Sequence, residues 1–316
     1  MKNKLIILFG FILVVWGGIA GYQHTKNVPS STTPVININV NDIKISKKYL
    51  KIAKMKPFFA DKGYSTVFSD KGNFKSGKFN LYVADEQSEI PTVLDKNAIN
   101  ILWLPMFSDG DDLKRLRQFD VIVVKSMKAF NHLKAINVRT AYIPEAIDVA
   151  KPMDRQPQKD FMYFGDNNEF SPALYLSGKH NFKVDIFGKG FEYKWPKEEI
   201  KADAPLKDDF SKYKLVMIDQ TEQEVVNELI NPRIIETLEN GAIPLIRYNF
   251  GIYRIFGDAL PYYNSEEEFQ QNIDNYTSEN ILSAKHKIYH ISQNWNTQSQ
   301  VYKFIELFEI MEKKLR

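Results

Sequence analysis

Short apolar runs separated by polar, turn-forming segments recur along most of the chain. In the first half they are "KFNLYVAD" (78–85), "INILWLP" (99–105), "FDVIVVKS" (119–126) and "RTAYIPEA" (139–146). In the second half they are "FMYFG" (161–165), "KVDIFGKG" (183–190), "KLVMID" (214–219) and "AIPLI" (242–246). Each has the length and the Val/Ile/aromatic content of a buried strand. Between them lie stretches with helical spacing: "KKYLKIAKMKPFFADKG" (47–63), "MKAFNHLKAIN" (127–137), "SPALYLSGKH" (171–180) and "EEEFQQNIDNY" (266–276). Strands alternating with helices predict parallel α/β sheets. The closing stretch, "SQVYKFIELFEIMEKKLR" (299–316), places Val301, Phe304, Ile305, Leu307, Phe308 and Met311 on one helical face. These patterns predict an amino-proximal α/β domain over 46–150, a second over 151–295 and a final amphipathic helix over 296–316. The polar, proline-bearing segment 143–160 reads as the crossing between the halves.

The amino terminus has a different pattern. "MKNKLIILFGFILVVWGGIAGY" is a short basic head followed by an uncharged apolar run from Leu5 to about Tyr22. That length approaches the roughly 20 residues that span a bilayer. The run predicts a single transmembrane anchor over 1–24, with a secretory signal peptide as the rival, since Gly18-Ile19-Ala20 could be cleaved. Residues 25–45, with "NVPSSTTP" in them, read as a polar stalk. Lys2 and Lys4 favour a cytoplasmic amino end, whereas Lys26, Lys44, Lys47 and Lys48 pull the other way, so the side of the membrane stays open.

"NELINPRIIETLENGAIPLIRYN" (227–249) is the stretch that carries candidate chemistry. Asn231 can cap a helix, Pro232 suits its first position, and Asn240-Gly241 ends it before the strand "AIPLI". The unit is strand, loop, helix, strand, and in such sheets ligands bind beyond the carboxyl ends of the strands. Arg233 would stand in the first helical turn beside free N–H groups, where a phosphate is at home. The alternative is a surface pair of Arg233 with Glu236, three residues on. Gly165, Asp166 and Asn167 follow the strand "FMYFG" and should face the same crevice. Asp109, after "INILWLP", is the candidate base on the acceptor side, with Asp85 and Glu86 as rivals.

Composition narrows the chemistry further. The 316 residues are 44% hydrophobic, ordinary globular material, and the net charge of +3 gives no case for nucleic acid. With no cysteine there are no disulfides and no thiolate chemistry. The first half lacks G-x-G-x-x-G, so a dinucleotide site is not expected. His286 and His290 have metal-pair spacing without an HExxH setting, and Asp109-Gly110-Asp111 has the letters of a DxD motif in the presumed acceptor half. Asn275-Tyr276-Thr277 is a glycosylation sequon.

At "VDIFGKGF … LKDDFSKYKLVMIDQTEQEVVNELINPRIIETLENGAIPLI" the chain resembles the donor domain of GT-B-fold glycosyltransferases. Across about 160–275 it is similar to the α-1,3-fucosyltransferase family, in Val184-Asp185-Ile186-Phe187-Gly188, Tyr213-Lys214-Leu215, Arg233 and Gly241-Ala242-Ile243-Pro244. That family's Thr-Glu-Lys is Asn231-Pro232-Arg233 here, and its Glu-Asn at a strand end is Asp219-Gln220. Glu228 and Glu236 also match the E-x7-E spacing of group-one and CgeB-like glycosyltransferases. The resemblance implies two Rossmann-like domains facing a cleft and no bound metal or other cofactor. It implies transfer of a sugar, with fucose as one option, from a nucleotide-sugar to a glycan or lipid-linked acceptor. It makes Glu228 a catalytic candidate and Glu236 the ribose ligand, beside a donor site of Gly165, Asp166, Asn167, Asn231 and Arg233. The alternative is a catalytically degenerate GT-B binding module in surface-polysaccharide assembly.

Overall fold

The computed structural model describes residues 34–40, 51–70, 77–84, 90–91, 93–104, 112–152, 156–167, 170–191, 199–276 and 279–315. The expected membrane span, Asp109 with its rivals Asp85 and Glu86, and Thr277 of the sequon lie outside these residues. No described helix is long and apolar enough to cross a membrane. The chain divides into two compact units: one runs to Ile143 and includes Phe304–Arg316, and the other is Pro144–Lys303.

The first unit is built on a six-stranded, wholly parallel sheet. Its strands are β1 (Val35–Val40), β2 (Ser65–Asp70), β3 (Phe79–Val83), β4 (Ile99–Leu104), β5 (Val121–Val124) and β6 (Thr140–Tyr142), in the order β2-β1-β3-β4-β5-β6. β3, β4 and β5 are buried at every position, as a parallel sheet covered on both faces requires. The expected stalk is corrected here, because its residues 35–40 form β1, between β2 and β3. Its alternating "VININV" looks half-exposed, but Asn37 and Asn39 are both buried and accept from the Ser69 hydroxyl. Asn37 is in register with Asn80, and Asn80 with Asn100, whose side chains hydrogen-bond at 3.1 Å. This pairing offsets part of the cost of burying the amides, while Asn39 Nδ2 and Asn80 Oδ1 are buried without a hydrogen-bond partner among the described residues.

The expected helix 47–63 is interrupted at 54–55, and its regular part is Lys56–Asp61. Pro57 stands in the first turn of this piece, where its missing N–H costs no intrahelical hydrogen bond. The last helix, Thr297–Leu315, gives its residues from Phe304 onward to the first unit. There Phe308 stacks on Phe79 at 4.8 Å between centroids and on Phe59 at 6.3 Å, and Phe304 meets Trp103 edge-on at 5.0 Å.

The second unit has six parallel strands: β7 (Lys159–Phe164), β8 (Val184–Phe187), β9 (Ile200–Ala202), β10 (Tyr213–Ile218), β11 (Ile243–Arg247) and β12 (Tyr262–Tyr263). Their order is β12-β11-β10-β7-β8-β9. The chain moves outward from β7 through β8 to β9, then returns to β10 and moves outward the other way. That is the doubly wound Rossmann order, with its topological switch between β7 and β10. Residues 144–150, expected as part of a polar crossing, are instead fastened to this unit. Ile147 is fully buried in its core, Ile147 N donates to the Trp295 carbonyl, and Asp148 caps Thr297.

Asp185, in the stretch that resembles fucosyltransferases, ties the amino half of this sheet together. It accepts from Lys159 of β7, from Tyr213 of β10 at 2.7 Å and pairs with Lys201 of β9 at 3.1 Å. Burial alone would raise its carboxyl, but these three partners outweigh it and hold the group below the usual aspartate range.

Candidate functional site

The carboxyl ends of β7 and β10 flank the switch point, and the residues there are held by specific contacts. At the end of β7, Gly165 approaches the β8 end so closely that a Cβ on Gly188 would lie 1.5 Å from the Gly165 carbonyl oxygen. Only glycine permits that approach. The two loops are then laced together. Asn167 N donates to the Lys189 carbonyl at 2.8 Å, Asn167 Nδ2 to the Gly190 carbonyl at 2.6 Å, and Lys189 N to Asp166 Oδ1 at 3.0 Å.

Two helix N-termini reach this edge, from Pro172–Lys179 after β7 and from Pro232–Glu239 before β11. The first is already neutralised from within. Asp219, at the end of β10, accepts from the Ser171 hydroxyl, from Ala173 N at 3.3 Å and from the Tyr163 hydroxyl at 3.1 Å. Burial pushes the Asp219 carboxyl up despite these donors, and the same burial, followed by the nearby Asp219 charge, raises the Tyr163 phenol. Asp219 therefore stands where an anionic ligand of that helix would bind.

The second N-terminus differs from expectation in one respect. Pro232 has no N–H, Arg233 N donates to Asn231 Oδ1 at 2.8 Å, and Ile234 N reaches the Asn231 carbonyl at 3.0 Å. The free backbone donors expected beside Arg233 are thus taken by the cap. Asn231 is buried and wholly engaged, since its Nδ2 donates to both oxygens of Glu224 at 3.0 and 3.1 Å. Glu224 in turn closes a capping box with Thr221 at the start of the preceding helix, Glu222–Val226.

With the backbone filled, the Arg233 side chain is the group left to meet a ligand. Its Nη2 pairs with Asp166 Oδ2, and its guanidinium lies over the Phe164 ring at 5.5 Å. The alternative pairing with Glu236 is not formed. Glu236 is exposed, one turn along the same helix. The side chains of Arg233 and Asp166 are 34% and 29% exposed, so the pair is open to solvent and to a solute.

Glu228 lies in the loop between the two helices and has a left-handed backbone with φ of 56°. For a residue with a side chain that conformation costs about 1–2 kcal/mol. The loop is held in it from below. The buried amide of Asn249 donates to Gln220 Oε1 at 3.0 Å, to the Glu224 carbonyl at 3.3 Å and to the Leu229 carbonyl at 2.9 Å. Gly251 packs against the loop so tightly that a Cβ there would lie 2.3 Å from the Glu228 carbonyl oxygen. Glu228 Oε2 is buried and has no hydrogen-bond partner among the described residues. A strained residue bearing an unsatisfied carboxylate oxygen is a pattern of functional positions.

The structure thus brings Gly165, Asp166, Asn167, Asn231 and Arg233 into one connected edge, with Glu228 and Glu236 on the loop and helix beside it. Sequence reasoning left out Lys189 and Asn249, whose contacts bridge loops distant in sequence, and Glu224, which the local capping-box spacing Thr221-x-x-Glu224 could have signalled. Among the described residues no group of three or more His, Asp or Glu could hold a metal ion.

Two parallel sheets, the second in Rossmann order, define a doubly wound α/β architecture. Comparison with solved structures makes the class more specific: the fold is that of the GT-B glycosyltransferases. An α-glucosyltransferase solved with UDP and DNA matches with a TM-score of 0.55 at 11% identity, over 89% of this chain and 100% of that one. A sucrose-phosphate synthase from Thermosynechococcus elongatus matches with a TM-score of 0.57 at 8% identity, over 89% and 100%. An α-1,3-fucosyltransferase matches with a TM-score of 0.51 at 11% identity, over 89% and 92%. No protein-family model and no curated protein sequence matches the chain.

Proposed function

We propose that the chain is a glycosyltransferase that takes a sugar from a nucleotide-sugar and delivers it to a saccharide acceptor, with the donor diphosphate bound by Arg233. The observation that carries this reading is the Arg233–Asp166 pair: a partly exposed guanidinium, oriented by a buried cap, at the switch point of a Rossmann-ordered sheet. A departing nucleoside diphosphate gains negative charge, and a planar fork of donors stabilises it bidentately. Glu236, one turn along, is the group assigned to the ribose. Glu228, with an unsatisfied oxygen, is assigned to a hydroxyl of the transferred sugar. The fold similarity to a fucosyltransferase, one structure of which contains GDP, supports GDP-fucose as the first donor to test.

The glycan or lipid-linked acceptor, the anchor over Leu5 to about Tyr22 and the base Asp109 belong to the same proposal. They rest on the apolar run with its basic head and on the place of Asp109 after β4. Calorimetric titration of the wild-type chain with GDP and UDP tests the donor site. Arg233→Ala should weaken the better nucleotide by roughly 1.5–3 kcal/mol, the scale of a charge-assisted hydrogen bond. Arg233→Lys should recover part of this, and Glu236→Gln should weaken nucleotides while sparing pyrophosphate. Unchanged affinity in Arg233→Ala removes the donor site from this position.

A further inference from the structure

We propose that Asp166 is a built-in competitor for the phosphate site, so that donor binding exchanges one anionic partner of Arg233 for another. The inference rests on the assignment of the diphosphate to Arg233. The Asp166 carboxylate lies against Arg233 Nη2, the donor that the proposal gives to a phosphate oxygen. It is not a chance surface contact. Asp166 is held from its other oxygen by Lys189 N at 3.0 Å, and the loop it belongs to is laced to Lys189 and Gly190 through Asn167. The glycine contact between Gly165 and Gly188 fixes both loop bases. The carboxylate is therefore presented to Arg233 by backbone geometry, with little side-chain entropy left to lose.

An arriving diphosphate meets two consequences of this arrangement. The guanidinium donors it needs are partly in use, and a negative charge stands within a few ångströms of its own. Both oppose binding, and both vanish when Asp166 is made neutral. Asparagine is the informative replacement. Its oxygen can still accept from Lys189 N, which preserves the loop, while its N–H2 group cannot hold Arg233. The Asp219 carboxylate makes a comparison within the same edge: it fills the other helix N-terminus, but it is buried and has three donors of its own. Asp166, by contrast, is partly exposed and shares its charge with the one cation assigned to the donor.

The test is calorimetric titration of the wild-type chain, Asp166→Asn, Arg233→Ala and the double variant with GDP, UDP and the matching uncharged nucleosides. Asp166→Asn should bind the better nucleoside diphosphate about two- to fivefold more tightly, the scale of one partly exposed ion pair. The gain should shrink as salt rises and be absent for the nucleosides. It should also largely disappear when Arg233 is already alanine. Asp166→Ser provides a second neutral variant should the asparagine chain fail to fold. Equal or weaker binding in a folded neutral variant, with Arg233→Ala still impaired, overturns the competitor and leaves the donor site standing. Full affinity in Arg233→Ala overturns the donor assignment itself.

Discussion

Replacing Asp219 tests whether the carboxyl edge of the second unit is organised as described. In the structure its two oxygens take three donors: the Ser171 hydroxyl, Ala173 N and the Tyr163 hydroxyl. Asp219→Ala strands all three, and hydrogen bonds to a charged group are worth about 1.5–3 kcal/mol each before desolvation is counted. Removing the charge also relieves the burial that raises this carboxyl, so the net loss should be smaller, about 2–4 kcal/mol. Asp219→Asn keeps the shape, and both hydroxyls can turn to accept from its amide. Its cost at neutral pH should be no more than about 1 kcal/mol. The pH dependence has a definite sign. A carboxyl raised in the folded state binds its proton more tightly there than when unfolded, so stability falls as pH rises from the ordinary aspartate value through the folded one. The advantage of wild type over Asp219→Asn should thus be largest in acid and smaller near neutrality. Urea unfolding of both chains between pH 3 and 8 measures it. An advantage that grows as pH rises would refute the account, as would an alanine variant as stable as wild type.

Other expectations concern the first unit and the strained loop. Phe308→Ala should cost about 3–5 kcal/mol in denaturant unfolding, because Phe308 is fully buried and stacks on both Phe59 and Phe79; a loss under 1 kcal/mol would mean the last helix does not pack there. Glu228→Gly should raise thermal stability, by up to about 1–2 kcal/mol, as the left-handed backbone is relieved, while transfer activity falls. Retained activity in that variant would return Glu228 to a purely structural role.

Much of the second unit was legible because its chemistry is local. The cap Asn231, the proline after it and the stop at Gly241 are adjacent in the chain and obey short-range rules, and the helix bounds follow them. All eight apolar runs are strands in the structure, because parallel strands covered on both faces are predominantly apolar. β1 was hidden because the partner of its buried Asn37 and Asn39, the Ser69 hydroxyl, lies 30 residues or more along the chain. β9 and β12, three and two residues long, are shorter than any period that hydrophobicity can reveal. At the site, Arg233 could be singled out as a cation at a helix start and Asp166 as a loop residue facing the same crevice, but their direct pairing could not. Asp166 lies 67 residues away, and only the strand order brings the two together.

The measurement that bears most directly on the proposed activity is release of the free nucleotide, GDP, UDP or CMP, from GDP-, UDP- and CMP-sugars by the chain, with and without saccharide acceptors. The account predicts that one donor is turned over, faster with an acceptor present, and that Arg233→Ala loses most of this rate. Tight binding of a nucleoside diphosphate without turnover of any donor would contradict it and identify a GT-B-fold binding module instead.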